Sequence, residues 1–432
     1  MRILLTTFEG GGHVPPALLV GRRLAERGHH VLVLSDDANR EQARAAGLDF
    51  ETWRRAPNRR QLGSADDPLD EWKARWPPAI VRRLCASVIT GPSAAYAKDV
   101  VDVADAFRPD LIVTNELLFG VMAAAQSRDT PLAILTANVW CFPTRADLPP
   151  FGPGFKASAA GWAAARDEKV RALISRWYDV GLQDLNGCRG ALGLNPLTSV
   201  LDQLGAARLV LLGVSRAFDF GASPPPGFAY TGPLGEAPSW VGDQSVDHLV
   251  SRQQPNVLVS FSTTGQGQER LLRRVVRAFE RLEAHAVVTL GPALEGVRLK
   301  APDNVRVVAK ASHDALLPHC AAVVTHGGHG TVVRPLTYGK PVLCLPTGRD
   351  QFDNAARVVA AGAGLKLSRS ARPTGIRRAL RRLLEQPGFT ARACALGALI
   401  DQEADGGVRA SQLLEDLVTS GAQTVSRLEA AR

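Results

Sequence analysis

Short apolar runs alternate with amphipathic stretches along most of this chain. Runs such as Arg2–Thr6 and His30–Ser35 are rich in branched aliphatic residues, which favours buried strands. The stretch Pro15–Arg27 between them has helical spacing of its apolar residues and ends at a glycine. Strands separated by helices are typical of parallel sheets with right-handed crossovers, so the pattern predicts an α/β fold.

The alternation ends once and then restarts, which predicts two domains. The first series closes with the runs Leu209–Gly213 and Ala229–Thr231, and a second begins at Val257–Phe261. Between them lies a stretch of Gly, Pro, Ser and Gln with little periodicity. We predict an N-terminal domain (1–235), a linker (236–255), a C-terminal domain (256–418) and a tail (419–432). Two doubly wound domains of this kind place ligands in the cleft where their strands end.

A strand–turn–helix segment in the second half carries the clearest chemistry. The apolar run Ala321–Val324 is followed by the glycine-rich turn His326–Thr331 and the helix-like stretch Val332–Tyr338. Such a turn exposes backbone N–H groups at a helix N-terminus, where they bind phosphate oxygens. Further on, Asp350 and Gln351 lie on a predicted loop, and a carboxylate beside an amide suits sugar hydroxyls. Together these features predict a nucleotide-sugar site.

The order and spacing of these residues resemble those of the inverting nucleotide-sugar glycosyltransferases of the GT-B fold, including the bacterial macrolide type. The positions that carry the resemblance are His326 to Thr331, Gly339, Pro341, Pro346, Asp350, Gln351, Asn354, Ala355, Gly362 and Gly364. The resemblance implies two Rossmann-like domains facing a cleft. It also implies transfer, with inversion, from a UDP- or dTDP-sugar to a hydroxyl of a lipophilic natural product, phenol or lipid. In that family the last helix packs back on the N-terminal domain.

The resemblance places the catalytic base at His13, which follows three glycines after the first strand. An imidazole with an ordinary pKa near 6.5 suits a base at neutral pH. Where the family has an aspartate that orients the base, this chain has Asn115. Glu116 is adjacent, but alternation along an extended segment points it away. Either His13 works without a charged partner, or another acid serves.

The remaining donor contacts follow from the same resemblance. The diphosphate is expected at the residues Ser262, Thr263, Thr264, His326, Gly328, His329, Gly330 and Thr331. These fixed dipoles can replace a metal ion, so we expect neither a metal nor any cofactor beyond the nucleotide-sugar co-substrate.

The nucleoside is expected near Val308, His313 and Arg334. Arg334 stands where the family has a ribose-binding glutamate, and a guanidinium accepts no hydrogen bond. Either the donor lacks the ribose 2′-hydroxyl, as a thymidine diphosphate sugar does, or Arg334 faces solvent and the main chain holds the ribose.

Aromatic residues predict an apolar acceptor pocket, with Phe119, Trp140 and Phe142 as its candidates. The alternative is that these rings only pack loops onto the core.

The charge, the apolar runs and the cysteines limit which binding partners and which cellular compartment are expected. The net charge is +9, but basic residues are mixed with acids along the helices, so nucleic-acid binding is not expected and membrane contact is at most peripheral. No apolar run approaches the ~20 residues that span a bilayer. The cysteines form no zinc pattern, which favours reduced thiols in a cytoplasmic protein. A monomer or a homodimer is expected.

Two other functions stay open. A nucleotide-sugar epimerase of the same architecture would need no apolar acceptor pocket. A catalytically silent sugar-nucleotide-binding partner protein is compatible with Asn115 and Arg334. His13 argues against a mere binder, since binding requires no base.

Overall fold

Two parallel sheets organise the molecule. The computed structural model describes residues 1–10, 12–61, 76–158, 160–235, 245–261, 267–291, 294, 297–403 and 405–420. The strands are β1 Arg2–Thr6, β2 His30–Ser35, β3 Asp49–Thr52, β4 Leu111–Asn115, β5 Leu132–Thr136, β6 Leu209–Leu212, β7 Phe228–Tyr230, β8 Asn256–Ser260, β9 His285–Thr289, β10 Val305–Val308, β11 Cys320–Thr325, β12 Val342–Cys344 and β13 Gly364–Lys366.

Helices connect these strands and cover the sheets. They are α1 Val14–Glu26, α2 Arg40–Ala45, α3 Pro77–Leu84, α4 Ser93–Phe107, α5 Phe119–Ser127, α6 Gly161–Tyr178, α7 Leu182–Ala191, α8 Glu269–Ala278, α9 His313–Leu316, α10 His329–Thr337, α11 Gln351–Ala360, α12 Pro373–Glu385, α13 Pro387–Asp401 and α14 Gly406–Ser420. No helix among the described residues is both long and apolar enough to cross a membrane.

The sheet orders are β3-β2-β1-β4-β5-β6-β7 and β10-β9-β8-β11-β12-β13. Every pairing is parallel. In each sheet the first strand of the series lies centrally, and the order reverses direction beside it. That reversal point is where ligands bind in doubly wound sheets. The predicted α/β class with two doubly wound domains is confirmed.

The two faces of the first sheet have separate cores. Successive residues of β1 point to opposite faces, so Ile3 and Leu5 pack on the α1 side while Leu4 packs with the cluster around Tyr96 and Phe119. Helix α14 joins the first of these cores through its apolar face. The final helix therefore completes the layer over the N-terminal sheet.

Ion pairs fix helix α14 to the N-terminal sheet. Arg27 donates two hydrogen bonds to the Glu415 carboxylate, at 2.7 and 2.6 Å, and His29 Nε2 lies 2.7 Å from the same group. Arg23 reaches Asp405 at 2.9 Å. The Arg27 and His29 contacts hold the pKa of Glu415 down to about 2. The C-terminal part of the chain is thereby anchored on the N-terminal sheet.

The sequence pattern missed several helices for different reasons. Helix α5 has no polar face because Phe119 to Ala125 are almost completely buried, so its periodicity is lost. Helix α6 has its apolar and charged residues spread around all sides and buries only Ala163, Ile174 and Tyr178. The predicted loop at Asp350–Gln351 is instead the N-terminus of α11.

A buried carboxylate links the two sheets. Asp219, which follows β6, accepts a 2.8 Å hydrogen bond from Arg357 Nε on α11 and a 2.6 Å bond from the Tyr230 hydroxyl. Arg145 Nη1 lies 3.6 Å from its other side. Asp219 is fully buried, and both arginines are nearly so. Asp219 thus neutralises Arg357 and, together with Asp147, which pairs directly with Arg145, a second buried cation at the contact between the domains.

Asp219→Ala should lower the free energy of unfolding by about 3–5 kcal/mol, because it leaves buried guanidinium charge uncompensated. Denaturant titration measures this. The matched control is Asp105→Ala, which breaks the exposed 2.7 Å pair with Arg128 and should cost less than about 1 kcal/mol. Equal losses from the two variants would contradict the assigned role of Asp219.

Candidate active site

His13 lies where the first strand ends and the first helix begins. It is the residue before α1, and its ring stacks on Phe8 with centroids 5.6 Å apart. Its side chain is 14% exposed. Burial, with a further contribution from the positive charge of Arg349, lowers the pKa of His13 to about 4. The imidazole is therefore neutral at pH 7, but it is a weaker base than an ordinary histidine.

Glu116 faces His13, so the expectation that it points away was wrong. Strand β4 ends at Asn115, and strand alternation no longer applies to the next residue. Glu116 Oε1 lies 3.9 Å from His13 Nδ1, and Asn115 Nδ2 lies 3.3 Å from the same nitrogen. An acid and an amide therefore share the inner side of the imidazole.

The Glu116 carboxyl is buried and held by polar neighbours. Asn115 Nδ2 donates to it at 2.7 Å, and the Thr136 hydroxyl donates at 3.2 Å. Burial raises the pKa of Glu116 to about 7, and the nearby Asp350 charge adds to the rise. This carboxyl titrates near neutral pH.

The predicted phosphate turn lies between β11 and α10. Gly327 has φ +97°, which favours glycine, and Gly328 is the N-cap of α10. The His326 ring folds over the turn so closely that a Cβ on Gly328 would be 2.5 Å from its Nε2. Burial, followed by the Arg349 charge, lowers the pKa of His326 to about 3. His326 is a neutral group at this helix N-terminus.

Two side chains of this turn already have roles within the protein. The Thr331 hydroxyl donates to the Gly328 carbonyl at 2.9 Å and contacts the Thr325 hydroxyl at 2.7 Å. The buried His329 ring packs on Phe218 of the N-terminal sheet, with centroids 5.7 Å apart. Among the described residues neither of its ring nitrogens has a hydrogen-bond partner. At this turn, Gly330 and the backbone amides of the helix start remain the groups best placed for a phosphate.

Asp350 and Gln351 differ more than the sequence indicated. Asp350 accepts a 2.6 Å bond from Asn354, and burial raises its pKa against smaller opposing effects that include a hydrogen bond from the His329 backbone. Its carboxyl therefore lies beside the α10 N-terminus. Gln351 Oε1 accepts from the Thr347 and Gly348 backbone N–H groups at 2.7 and 3.1 Å. Gln351 is 1% exposed and uses its oxygen to hold the loop before α11.

The candidate nucleoside residues come together at the ends of two neighbouring strands. Val308 pairs in register with Thr289, and the Thr289 hydroxyl lies 3.2 Å from His313 Nε2. The Arg334 guanidinium forms a two-pronged ion pair with Asp314, the residue after His313. The sequence alternatives for Arg334 did not include this partner. Its charge further lowers the pKa of His313, which burial already depresses.

Arg349 is the cleft residue that sequence reasoning missed. It adopts φ +53°, which is uncommon for a residue with a side chain, and it is half-buried. Its positive charge acts on His13 from the first domain and on His326 and Asp350 from the second. A guanidinium therefore lies within electrostatic reach of both the base candidate and the phosphate turn. A single arginine before an Asp-Gln pair gave no signal in the sequence.

The three candidate acceptor residues form part of an aromatic cluster. Phe119, Trp140 and Phe142 are between 0% and 4% exposed, and the Phe142 ring contacts the other two at 5.7 and 5.4 Å. Trp140 and Phe142 also border a cavity of about 10 Å³ that reaches Asp353 and Arg357 on α11. That volume holds at most one water molecule. In this arrangement the rings pack in the core, and their predicted contact with an acceptor stays a prediction.

Part of the candidate donor site lies outside the described residues. This applies to Ser262, Thr263 and Thr264, so their predicted diphosphate contacts stay predictions.

Comparisons with known proteins agree with this architecture. Residues 273–414 match the family described as the C-terminal domain of erythromycin biosynthesis protein CIII-like proteins. The 4'-demethylrebeccamycin synthase of Lentzea aerocolonigenes is 29% identical, over 96% of this chain and 99% of that protein.

Solved structures share the fold over nearly the full length. The glycotransferase of kitacinnamycin superposes with a TM-score of 0.71 at 21% identity, covering 96% of this chain and 98% of that one. The spinosyn rhamnosyltransferase complexed with thymidine diphosphate gives 0.65 at 20% identity, covering 96% and 100%.

The two facing sheets and these relatives define the chain as a glycosyltransferase of the GT-B fold. Within that class it is similar to bacterial natural-product glycosyltransferases, the group that its sequence resembles. The comparisons do not favour the epimerase or the silent binding protein.

Gly328→Ala should lower the free energy of unfolding by about 1–3 kcal/mol, because its methyl group meets the His326 ring. Thermal and denaturant unfolding measure this. Gly330→Ala is the matched control, since a Cβ there meets no atom within 4 Å and alanine favours a helix. Wild-type stability of the Gly328 variant would show that the ring does not need the glycine.

Proposed function

We propose that this enzyme transfers a sugar, with inversion and without a metal ion, from a nucleoside diphosphate donor to a hydroxyl of a lipophilic small molecule. The observation that carries the proposal is the contact between the two halves of the site: His13 precedes α1 in the first domain, and His329 at the start of α10 in the second packs on Phe218 of the first, with ring centroids 5.7 Å apart. A base from one domain and a phosphate-binding turn from the other therefore share one cleft.

The chemical step follows from this placement. His13 Nε2 takes the proton of the acceptor hydroxyl as the acceptor oxygen bonds to the anomeric carbon. The bond from that carbon to the β-phosphate oxygen breaks, and the electron pair leaves with the nucleoside diphosphate. Because the base and the phosphate turn belong to opposite domains, attack comes from the face opposite the leaving group. A single displacement of this kind inverts the anomeric carbon.

The leaving group gains negative charge, which the second domain is suited to stabilise. The backbone N–H groups at the start of α10 provide fixed dipoles, as does the partial positive charge of a helix N-terminus. Arg349 adds a full positive charge nearby. These groups support a reaction that requires no divalent cation.

Asp350 is the better-placed of the two candidate sugar residues. Its carboxyl is beside the start of α10, where the sugar follows the β-phosphate, and it can accept from sugar hydroxyls. Gln351 supports the same pocket indirectly, since its oxygen holds the preceding loop at Thr347 and Gly348. The nucleoside would then extend toward Val308, His313 and Arg334.

A panel assay tests the proposed function. The pure protein is incubated with UDP- and dTDP-sugars, hydroxylated aromatic acceptors and excess EDTA, and products are identified by mass spectrometry and by NMR of the anomeric proton. Inverted glycosides formed in EDTA are expected. Epimerised sugar nucleotides would indicate an epimerase, binding without turnover would indicate a silent partner protein, and rescue only by added Mg²⁺ or Mn²⁺ would refute the metal-free mechanism.

His13→Ala should reduce transfer by roughly 10²–10⁴-fold, because it removes the proton acceptor. Affinity for the bare nucleoside diphosphate should stay close to that of the wild type, since the ring belongs to the other domain. Steady-state rates and calorimetry separate the two effects. His248→Ala, a change at an exposed histidine, is the control. Near-normal transfer by the His13 variant would exclude it as the base.

Thymidine diphosphate sugars should serve at least as well as uridine ones. The ion pair with Asp314 occupies Arg334, and no carboxylate at position 334 accepts from a ribose 2′-hydroxyl. Arg334→Glu should shift preference toward uridine donors by on the order of 1 kcal/mol. Asp314→Asn breaks the ion pair without adding a carboxylate at 334, so it should not shift preference. Calorimetry with both diphosphates measures this, and a strong wild-type preference for uridine would refute the argument.

A further inference from the structure

The side-chain amide of Asn115 has a fixed orientation. Its Oδ1 accepts a 2.9 Å hydrogen bond from the Leu117 backbone N–H, and its Nδ2 donates to Glu116 Oε2 at 2.7 Å. Turning the amide over would place donor against donor and acceptor against acceptor at both contacts. It is therefore the NH₂ group that lies 3.3 Å from His13 Nδ1.

This orientation has a consequence for the imidazole. A neutral imidazole that accepts from Asn115 at Nδ1 carries its proton on Nε2. Nε2 is then a donor and cannot take a proton from an acceptor hydroxyl. Asn115 thus stabilises the tautomer of His13 that is inactive as a base. A base-competent His13 needs an acceptor for an Nδ1–H group.

We propose that Glu116 is a positioning residue that supplies this acceptor: its carboxylate selects the Nδ1–H tautomer of His13 and stabilises the imidazolium formed during sugar transfer. The inference rests on the proposed role of His13 as the base. Glu116 Oε1 is 3.9 Å from Nδ1, about 1 Å more than an ordinary hydrogen bond between charged groups. Thr136 and Asn115 hold the carboxyl at this side of the ring.

Proton bookkeeping agrees with this assignment. In the active state Nδ1–H donates to the ionised Glu116, and Nε2 is free to accept. When the acceptor hydroxyl gives up its proton, that proton stays on Nε2, and the imidazolium and the carboxylate form a pair. Without the carboxylate, the imidazolium would form in a buried site beside the positive charge of Arg349, which already disfavours it.

The groups around Glu116 set the pH at which it ionises. Burial raises its pKa most, the Thr136 hydroxyl lowers it, and Asp350 raises it by charge repulsion. The half-buried Cys141 thiol lies near both acids. With a pKa of about 7, Glu116 is ionised above neutral pH and protonated below it. His13, with a pKa of about 4, is neutral across this range. The rate of sugar transfer should therefore rise with pH through about 7. This rising limb of the pH–rate profile reports the ionisation of Glu116.

Three variants test the assignment through kcat and its pH profile. Glu116→Gln should lower kcat about 10²-fold and abolish the limb near pH 7. Asn115→Asp added to that variant should restore most of the rate, because a carboxylate again faces Nδ1. Thr136→Val should move the limb of the otherwise unchanged enzyme to higher pH, since it removes a donor to the carboxylate. A purely structural role for Glu116 would give neither the rescue nor the directional shift.

A spectroscopic measurement needs no substrate. In ¹⁵N-histidine-labelled protein, the His13 nitrogens, assigned by their loss in His13→Asn, report the tautomer. Above pH 8 the wild type should show protonation at Nδ1, whereas Glu116→Gln should show it at Nε2. The same Nε2 tautomer in both proteins would overturn the proposal.

The outcomes separate the two levels of inference. If the wild type transfers sugar but Glu116→Gln keeps its rate and pH profile, the role of Glu116 is refuted while the proposed function stands. If no donor and acceptor pair is turned over, the proposed function fails, and the tautomer measurement still decides what Glu116 does to His13.

Discussion

Burial of ionisable groups at the meeting of the two sheets is the constraint on which the site depends. Removing a group from water disfavours its charged form, so the histidines lose basicity and the acids lose acidity. The pKa values of His13 and His326 fall to about 4 and about 3, while those of Glu116 and Asp353 rise to about 7 and about 6. At neutral pH the two histidines are therefore uncharged, and Glu116 is near the midpoint of its titration. Charge that develops during a reaction there is poorly screened by water and depends on the few fixed partners available.

Helix α11 joins the structural and chemical parts of this arrangement. Its N-terminus carries Asp350 and Gln351, and Asn354 on its next turn donates to the Gly327 carbonyl at 3.0 Å. Two further residues of α11 contact the N-terminal domain. Asp353 accepts a 2.9 Å hydrogen bond from the Gly152 backbone N–H, and Arg357 pairs with Asp219. The same helix therefore shapes the donor turn and docks on the N-terminal domain. The domain contact at Arg357 and the proposed sugar residue Asp350 therefore lie on one helix.

The sequence predicted the two sheets and the glycine-rich turn because burial and backbone conformation determine both the residue pattern and these elements. Buried parallel strands appear as apolar runs in the sequence. The turn after β11 requires glycine at 327 and 328, because a side chain would be strained at the first position and would clash at the second. Contacts between distant segments had no such signature. The Asp314–Arg334 pair joins two helices, and Arg357 donates to Asp219, which lies 138 residues earlier in the chain. Neither partner could be chosen from spacing alone.

The error about Glu116 is instructive, because it came from a valid rule applied one residue too far. Alternation holds within a strand, but β4 ends at Asn115. The Asn115 side-chain oxygen then accepts a hydrogen bond from the Leu117 backbone N–H, which forms a local turn. That turn places the Glu116 carboxyl on the same side as the Asn115 side chain, which donates a hydrogen bond to it. A carboxylate can thus be replaced by an amide in the strand and supplied again one residue later. At a strand end the position of an acid in the sequence matters less than the backbone turn that aims it. Motif positions are therefore weakest as evidence at the residues where catalytic groups are placed.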